Sequence, residues 1–384
     1  MRAALILVLA GFLAPLQVQA APGLDFGFAE TIDVVSILSG PGDRRLRVLE
    51  NTDVILDADL ETLAGWASTR SHIYVLSNHG ARPNEIVGSL EGFNNIEVAR
   101  SGVRLFEAWI ERDLGKGSLL VGLFDLNSEF YVTESAGTLL SPPFGIGSEL
   151  AGSGVNGPSI FPSSSLALRG QVAIGDRGQY LRAALVDADA ASWGDPHGVD
   201  FSFHEGLLGV AEAGLDKDGL KLALGGWAYT KAHDHLWATQ PDGNRLAQKT
   251  WGVYALLDAR LTSREADQSL SAFVRGGWIE GQATPFEASA QAGVLLAPML
   301  AQRPASALSI GVHAAWTNQA QRALVSAEGR LPARFERGVE ITFTDELLPG
   351  LTIQPDFQII QNSGGQSDSP LVVLGMLRIA FAIE

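Results

Sequence analysis

Glu107, Trp109 and Glu111 lie at every second position of one segment. In an extended chain, side chains two apart share a face. The indole therefore sits between two carboxylates, opposite Phe106, Ala108 and Ile110. If the apolar set faces lipid, Glu107, Trp109 and Glu111 face water. There the ring offers a stacking surface and the carboxylates offer hydrogen-bond acceptors. The competing reading seats Trp109 in an interfacial girdle or under a loop. The same alternation directs Lys221, Trp227 and Tyr229 to one face of another segment. It also turns Arg47, Arg169, Arg182, Arg275 and Arg334 inward, facing Asp53, Asp57 and Asp125, an arrangement that could oppose positive and negative charges across a narrow lumen. Scattered charges of this kind are otherwise simply solvated lining.

Catalytic chemistry finds little support. The chain has no cysteine, which removes disulfides, thiolate metal sites and cysteine nucleophiles. It holds no H-E-x-x-H, G-x-S-x-G or Walker-type sequence. Of the seven histidines, only His233-Asp234-His235 cluster. Two histidines two apart with no third ligand nearby make a poor metal centre, so no metal, cofactor or catalytic residue is expected. A formal charge of −16 argues against nucleic acid.

The elements that must position these side chains are strands. From Leu46 to Leu60, Leu46, Val48, Thr52, Val54, Leu56, Ala58 and Leu60 alternate with Arg47, Asn51, Asp53, Asp57 and Asp59. Leu351 to Ile360 and Arg334 to Thr344 alternate likewise. Sixteen such runs are expected near 24–37, 46–60, 69–78, 101–113, 117–126, 165–175, 178–187, 207–215, 219–229, 249–261, 269–281, 286–297, 306–316, 333–345, 349–361 and 370–382. Ten residues or a little more is the length a tilted strand needs to cross a bilayer.

The connections separate a membrane barrel from a soluble sandwich. Short turns follow even-numbered runs, as at 114–116, 176–177 and 216–218, and the longer connections mostly follow odd ones. Outer-membrane barrels show this phase, with short periplasmic turns and longer outer loops. Residues 1–20 read as a cleaved signal peptide: Arg2, a short apolar stretch, then Val18-Gln19-Ala20. Residues 21–384 then form a single domain, an all-β, 16-stranded antiparallel transmembrane β-barrel with its apolar face on outer-membrane lipid. The longest connection, Asn127 to Ser164, is expected to fold inward and constrict the lumen. Trp251, Trp278 and Trp316 fall on the outward face near strand ends, where they would anchor the barrel at the membrane interface.

Several segments resemble the carbohydrate-selective porin (OprB-type) family. Asp59-Leu60 with Gly65-Trp66, Val87 to Glu97, Arg104 to Glu111, Phe144-Gly145, Pro158 to Pro162 and Leu351 to Gly365 are similar to its motifs. The most specific is Leu123 to Phe130, L-F-D-L-N-S-E-F. The resemblance implies an outer-membrane porin that passes small sugars by diffusion. On it, Glu107, Trp109, Glu111, Arg47, Asp53, Asp125, Glu129, Arg169, Arg182, Lys221, Trp227 and Arg275 become candidate channel-lining or sugar-binding residues. Barrel-assembly machinery is an implied partner. The chain departs from the family at its end, because Phe381 is followed by Ala382-Ile383-Glu384 where an aromatic residue usually closes the barrel. It is also shorter than many relatives, which suggests trimmed outer loops. A general nutrient or ion porin without sugar preference is the alternative, and an outer-membrane enzyme or adhesin a more remote one. Whether the barrel acts alone or as a homo-oligomer is left open by the sequence.

Overall fold

The computed structural model describes residues 21–263 and 266–383. The expected signal peptide and the terminal Glu384 lie outside the described residues. Eighteen strands are numbered β1–β18 in chain order. The first nine are β1 (Leu24–Ser39), β2 (Arg47–Asp59), β3 (Thr69–Gly80), β4 (Gly102–Asp113), β5 (Gly117–Phe124), β6 (Ser165–Ile174), β7 (Gln179–Asp187), β8 (Leu207–Lys217) and β9 (Leu220–Tyr229). After the hairpin strands β10 (His233–Thr239) and β11 (Arg245–Gln248) come β12 (Trp251–Arg260), β13 (Ser269–Glu280), β14 (Phe286–Ala297), β15 (Ala307–Thr317), β16 (Phe335–Leu348), β17 (Leu351–Gln361) and β18 (Val372–Ile383).

Sixteen of these close into one barrel, each strand pairing antiparallel with its neighbours and β1 meeting β18. Closure gives each strand a neighbour on either side and leaves no free edge strand in hydrocarbon. These sixteen coincide with the sixteen expected runs to within a few residues. Only β10 and β11 are additional, as a separate two-stranded sheet in the connection between β9 and β12. That hairpin carries His233-Asp234-His235, and no metal-holding cluster occurs among the described residues.

The alternation divides lipid face from lumen. On β9, Leu222 and Leu224 are exposed while Ala223, Trp227 and Tyr229 are buried. On β15, Ile310, Val312 and Trp316 are exposed while Ser309, His313 and Thr317 are buried. Trp251, Trp278 and Trp316 lie outward near the loop-bearing ends, Trp251 and Trp278 edge to face at 5.4 Å. One expectation fails locally. Phe106 was placed with the lipid-facing set, but it is 2% exposed and packs inside against Tyr74 at 5.3 Å. The ladder between β3 and β4 slips there: Tyr74 pairs with Glu107 and Val75 with Leu105. The extra residue at this bulge is Phe106, which re-aims the strand. Alternation counted across it reverses the face of every residue on the far side, so that Arg104 and Phe106 are buried and Val103 is exposed, and it leaves Glu107, Trp109 and Glu111 inward.

The loop 125–164 does fold into the barrel. Its Leu126, Phe130, Tyr131, Ile146 and Leu150 form an apolar cluster with wall residues including Trp227, Tyr229, Tyr254 and Ile279. Each large apolar side chain so buried contributes on the order of 1.5–3 kcal/mol. Tyr131 stacks on Tyr254 at 3.9 Å. A second inward segment was not anticipated. Loop 81–101 inserts Val87, Phe93 and Ile96 against Val35, Leu49, Ile360 and Leu374 of the wall. The lumen is thus narrowed by loops from two sides.

Candidate functional site

The constriction is shaped by wall groups that seat these loops. Arg275 on β13 is 2% exposed. Its guanidinium donates to the carbonyls of Tyr131 (2.8 Å), Pro143 (2.6 Å) and Gly145 (2.9 Å). Asp258 on β12 accepts from the backbone N–H of Ser135 (2.8 Å), and Glu212 on β8 accepts from that of Tyr131 (3.0 Å). Glu340 on β16 accepts from the N–H groups of Leu140 and Ser141. Glu336, nearby on the same strand, accepts from Leu90, Glu91 and Gly364 and from the Ser89 hydroxyl. Charge-assisted bonds to backbone groups are the stronger kind. Two wall glycines complete the seat. A Cβ on Gly311 would come within 2.5 Å of the Phe144 ring, and one on Gly277 would collide with Glu149.

Several expected lining residues consequently sit under the loops and do not face open water. Arg275 and Arg169 are anchors. Arg169, 1% exposed, donates to Ser118 (2.7 Å), Glu111 (2.9 Å) and Glu129 (2.6 Å). Trp227, 3% exposed, belongs to the apolar cluster. Arg182 lies over the Tyr180 ring at 4.5 Å and donates to the Glu129 carbonyl. Arg47, at the outer end of β2, binds Asp43 of its own turn at 2.8 Å, away from the constriction. Arg334 precedes β16 and is exposed. Asp125 caps the short helical turn Leu126–Ser128, accepting from the Asn127 N–H at 2.9 Å. Arg169, Arg182, Trp227 and Arg275 lie on the inward faces of their strands, whereas Arg334 and Asp125 lie beyond strand ends; alternation carries no information on what a loop then covers. Lys221 lies inward toward the inner end of β9, its register partner on β12 being Asp258.

On the wall of β2–β4, Arg70 and Asp57 are exposed and His72, Tyr74 and Trp109 are partly exposed, with Trp109 packed against the edge of the loop cluster, while Glu107 (7% exposed) and Glu111 (4% exposed) are buried between them. Trp109 stacks on His72 with ring centroids 4.9 Å apart and planes 16° apart. The Arg70 guanidinium lies 5.5 Å from the indole centroid and pairs with Glu111. The indole N–H donates to Glu107 at 3.2 Å, and Glu107 also accepts from the Asp125 N–H at 3.0 Å. His72 Nδ1 is 2.8 Å from Asp57, while the Tyr74 hydroxyl donates to Asp53 at 2.7 Å. Arg70, Asp57, Glu111 and Tyr180 line a vestibule of ≈ 930 Å³ at the end bearing the short turns. Arg70, His72 and Tyr74 alternate on β3 and were within reach of the same phase rule.

This arrangement places ring faces beside fixed donors and acceptors next to an open cavity. Among the described residues it offers no metal cluster. The sequence profile of the carbohydrate-selective porin, OprB family matches residues 43–382. A comparison with curated protein sequences found no match. Among solved structures, the high-pH structure of Pseudomonas putida OprB superposes with a TM-score of 0.83 at 18% identity, covering 94% of each chain. Its low-pH structure gives 0.59 at 14% identity, covering 94% of this chain and 93% of that one. The outer membrane channel DcaP of Acinetobacter baumannii gives 0.57 at 9% identity, covering 95% and 99%. At these identities the superpositions speak to the fold, a closed sixteen-stranded barrel, and the profile carries the family. With that match spanning nearly the whole barrel, the chain belongs to the carbohydrate-selective porin family and is a channel of the bacterial outer membrane.

Proposed function

We propose that this channel passes small neutral sugars by diffusion and that its sugar-contact wall is the β3–β4 ladder of Arg70, His72, Glu107, Trp109 and Glu111. The observation that carries the reading is Trp109, bonded to Glu107 and stacked on His72, with Arg70, which lines the vestibule, beside its ring. A sugar has apolar C–H faces and a rim of hydroxyls. Aromatic rings match the first, and carboxylates and a guanidinium match the second. Because these groups already bind one another, their orientations are set before a sugar arrives, which lowers the ordering cost of each transient contact. Fast passage also needs weak binding, and a contact wall open to water on one side is suited to that.

Single-channel conductance with and without added mono- and disaccharides tests this. Sugar should reduce ion current reversibly, and Trp109→Ala should weaken that block severalfold while leaving the sugar-free conductance nearly unchanged. Unchanged block in Trp109→Ala would remove the residue from the site. Absence of block in the parent channel would favour a general nutrient or ion porin.

A further inference from the structure

Segment 87–97 carries one of the family's motifs but has no part in the sugar-contact wall. It lies in loop 81–101, and its contacts run to the other inward loop as well as to the barrel. Glu91 is at the centre, with its side chain fully buried. One carboxylate oxygen accepts from the Ser148 hydroxyl of loop 125–164 at 2.5 Å. The other lies 2.8 Å from His313 Nδ1 on β15. The His313 ring also meets Phe144 of loop 125–164 edge to face at 5.5 Å. Leu140 of loop 125–164 belongs to the same apolar cluster as Val87, Phe93 and Ile96 of loop 81–101. Gly92, at φ +74°, comes close to Pro142, and a Cβ there would stand 3.2 Å from the proline ring. The two loops also share a wall strand: on β16, Glu336 seats Leu90 and Glu91, and Glu340 seats Leu140 and Ser141.

Each loop is therefore part of the other's seat. If loop 125–164 leaves, Glu91 loses the Ser148 donor, and Val87, Phe93 and Ile96 lose Leu140. If loop 81–101 leaves, Ser148 and His313 lose their acceptor. A buried polar group deprived of its partner is costly, and more so when the group is charged. Each loop thus holds its place more tightly while the other is seated, and such coupling acts equally in both directions. We propose that loops 81–101 and 125–164 form one cooperative gate joined at Glu91, so that the constriction is seated and released as a unit. Packed segments of this kind switch between discrete arrangements and do not deform continuously. Arg82, Glu85 and Arg100 of loop 81–101 are exposed, which puts the gate within reach of contacts made at the cell surface.

Ser148→Ala removes the hydroxyl that joins the loops and leaves the Ser148 N–H bond to Ser289 in place. Hydrogen exchange read by mass spectrometry should quicken in 81–101 as well as in 125–164, by at least about fivefold, the low end of usual couplings between sites. Strands β6–β9 should keep the parent's rates. Phe93→Ala perturbs the gate from the other loop, since Phe93 is buried against the wall. It should quicken exchange in 125–164 and make the sugar-free single-channel current switch between two levels. The heat-dependent gel shift checks that both variants remain folded barrels, and Ser148→Ala decides alone if Phe93→Ala does not assemble. Exchange in 81–101 unchanged by Ser148→Ala overturns the proposal, as does exchange in 125–164 unchanged by Phe93→Ala. So does quickening that extends over the whole wall.

Discussion

Replacing Arg275 by methionine should release the constriction loop without opening the barrel. The guanidinium holds three loop carbonyls, those of Tyr131, Pro143 and Gly145, at 2.6–2.9 Å. A buried carbonyl left without a donor costs about 1–3 kcal/mol, so the seated loop loses roughly 3–9 kcal/mol before any credit for no longer burying a charge. Methionine fills much of the same space, which keeps the change from being a cavity effect. Even the lower figure raises the population of the released loop about a hundredfold. Asp258, Glu212 and Glu340 still hold other points of the loop, so the barrel wall should stay intact. In planar bilayers Arg275→Met should show larger and noisier conductance than the parent. Limited proteolysis should cut within 125–164, while the heat-dependent gel shift of the folded barrel persists. Conductance, noise and protease resistance equal to the parent's would refute the assignment of Arg275 as the loop's anchor.

Gly311→Val should act similarly by steric means: its side chain meets Phe144 and Leu139, so conductance should rise while Ala292→Val, on the lipid face, leaves it unchanged. Asp57→Asn should weaken sugar block by a fewfold through loss of the carboxylate beside His72, read from the sugar concentration that halves the current. A pH effect is expected at loop 81–101. Burial first, then the neighbouring Glu85 carboxylate, pushes Glu97 up to about 7, against the lowering effect of the Asn84 N–H bond. A carboxyl whose folded value is raised binds its proton more tightly when the loop is seated, so seating is favoured at low pH and loses support as pH rises from ~4.5 through ~7. Hydrogen exchange across 81–101 should therefore quicken, beyond the intrinsic pH dependence, between pH 5 and 8, and Glu97→Gln should abolish the excess.

The alternation of apolar and polar residues laid out the sixteen strands, and the phase of short and long connections separated a membrane barrel from a soluble sandwich and determined which ends carry the loops. Both are local, repeated signals imposed by the bilayer on every strand, so they survive in the linear order. It also placed Glu107, Trp109 and Glu111 on the lumen face. Only the tertiary structure decided which inward residues meet water. Arg169, Arg275 and Trp227 point into the barrel just as Trp109 does, yet loop 125–164 lies over them. That outcome depends on contacts between residues more than a hundred positions apart, such as Arg275 with Tyr131, and on Gly277 and Gly311 leaving room for Glu149 and Phe144. The bulge at Phe106 and the inward path of loop 81–101 were hidden for the same reason. A strand's period records which way a side chain points, and what arrives to cover it is set by the packing of distant segments.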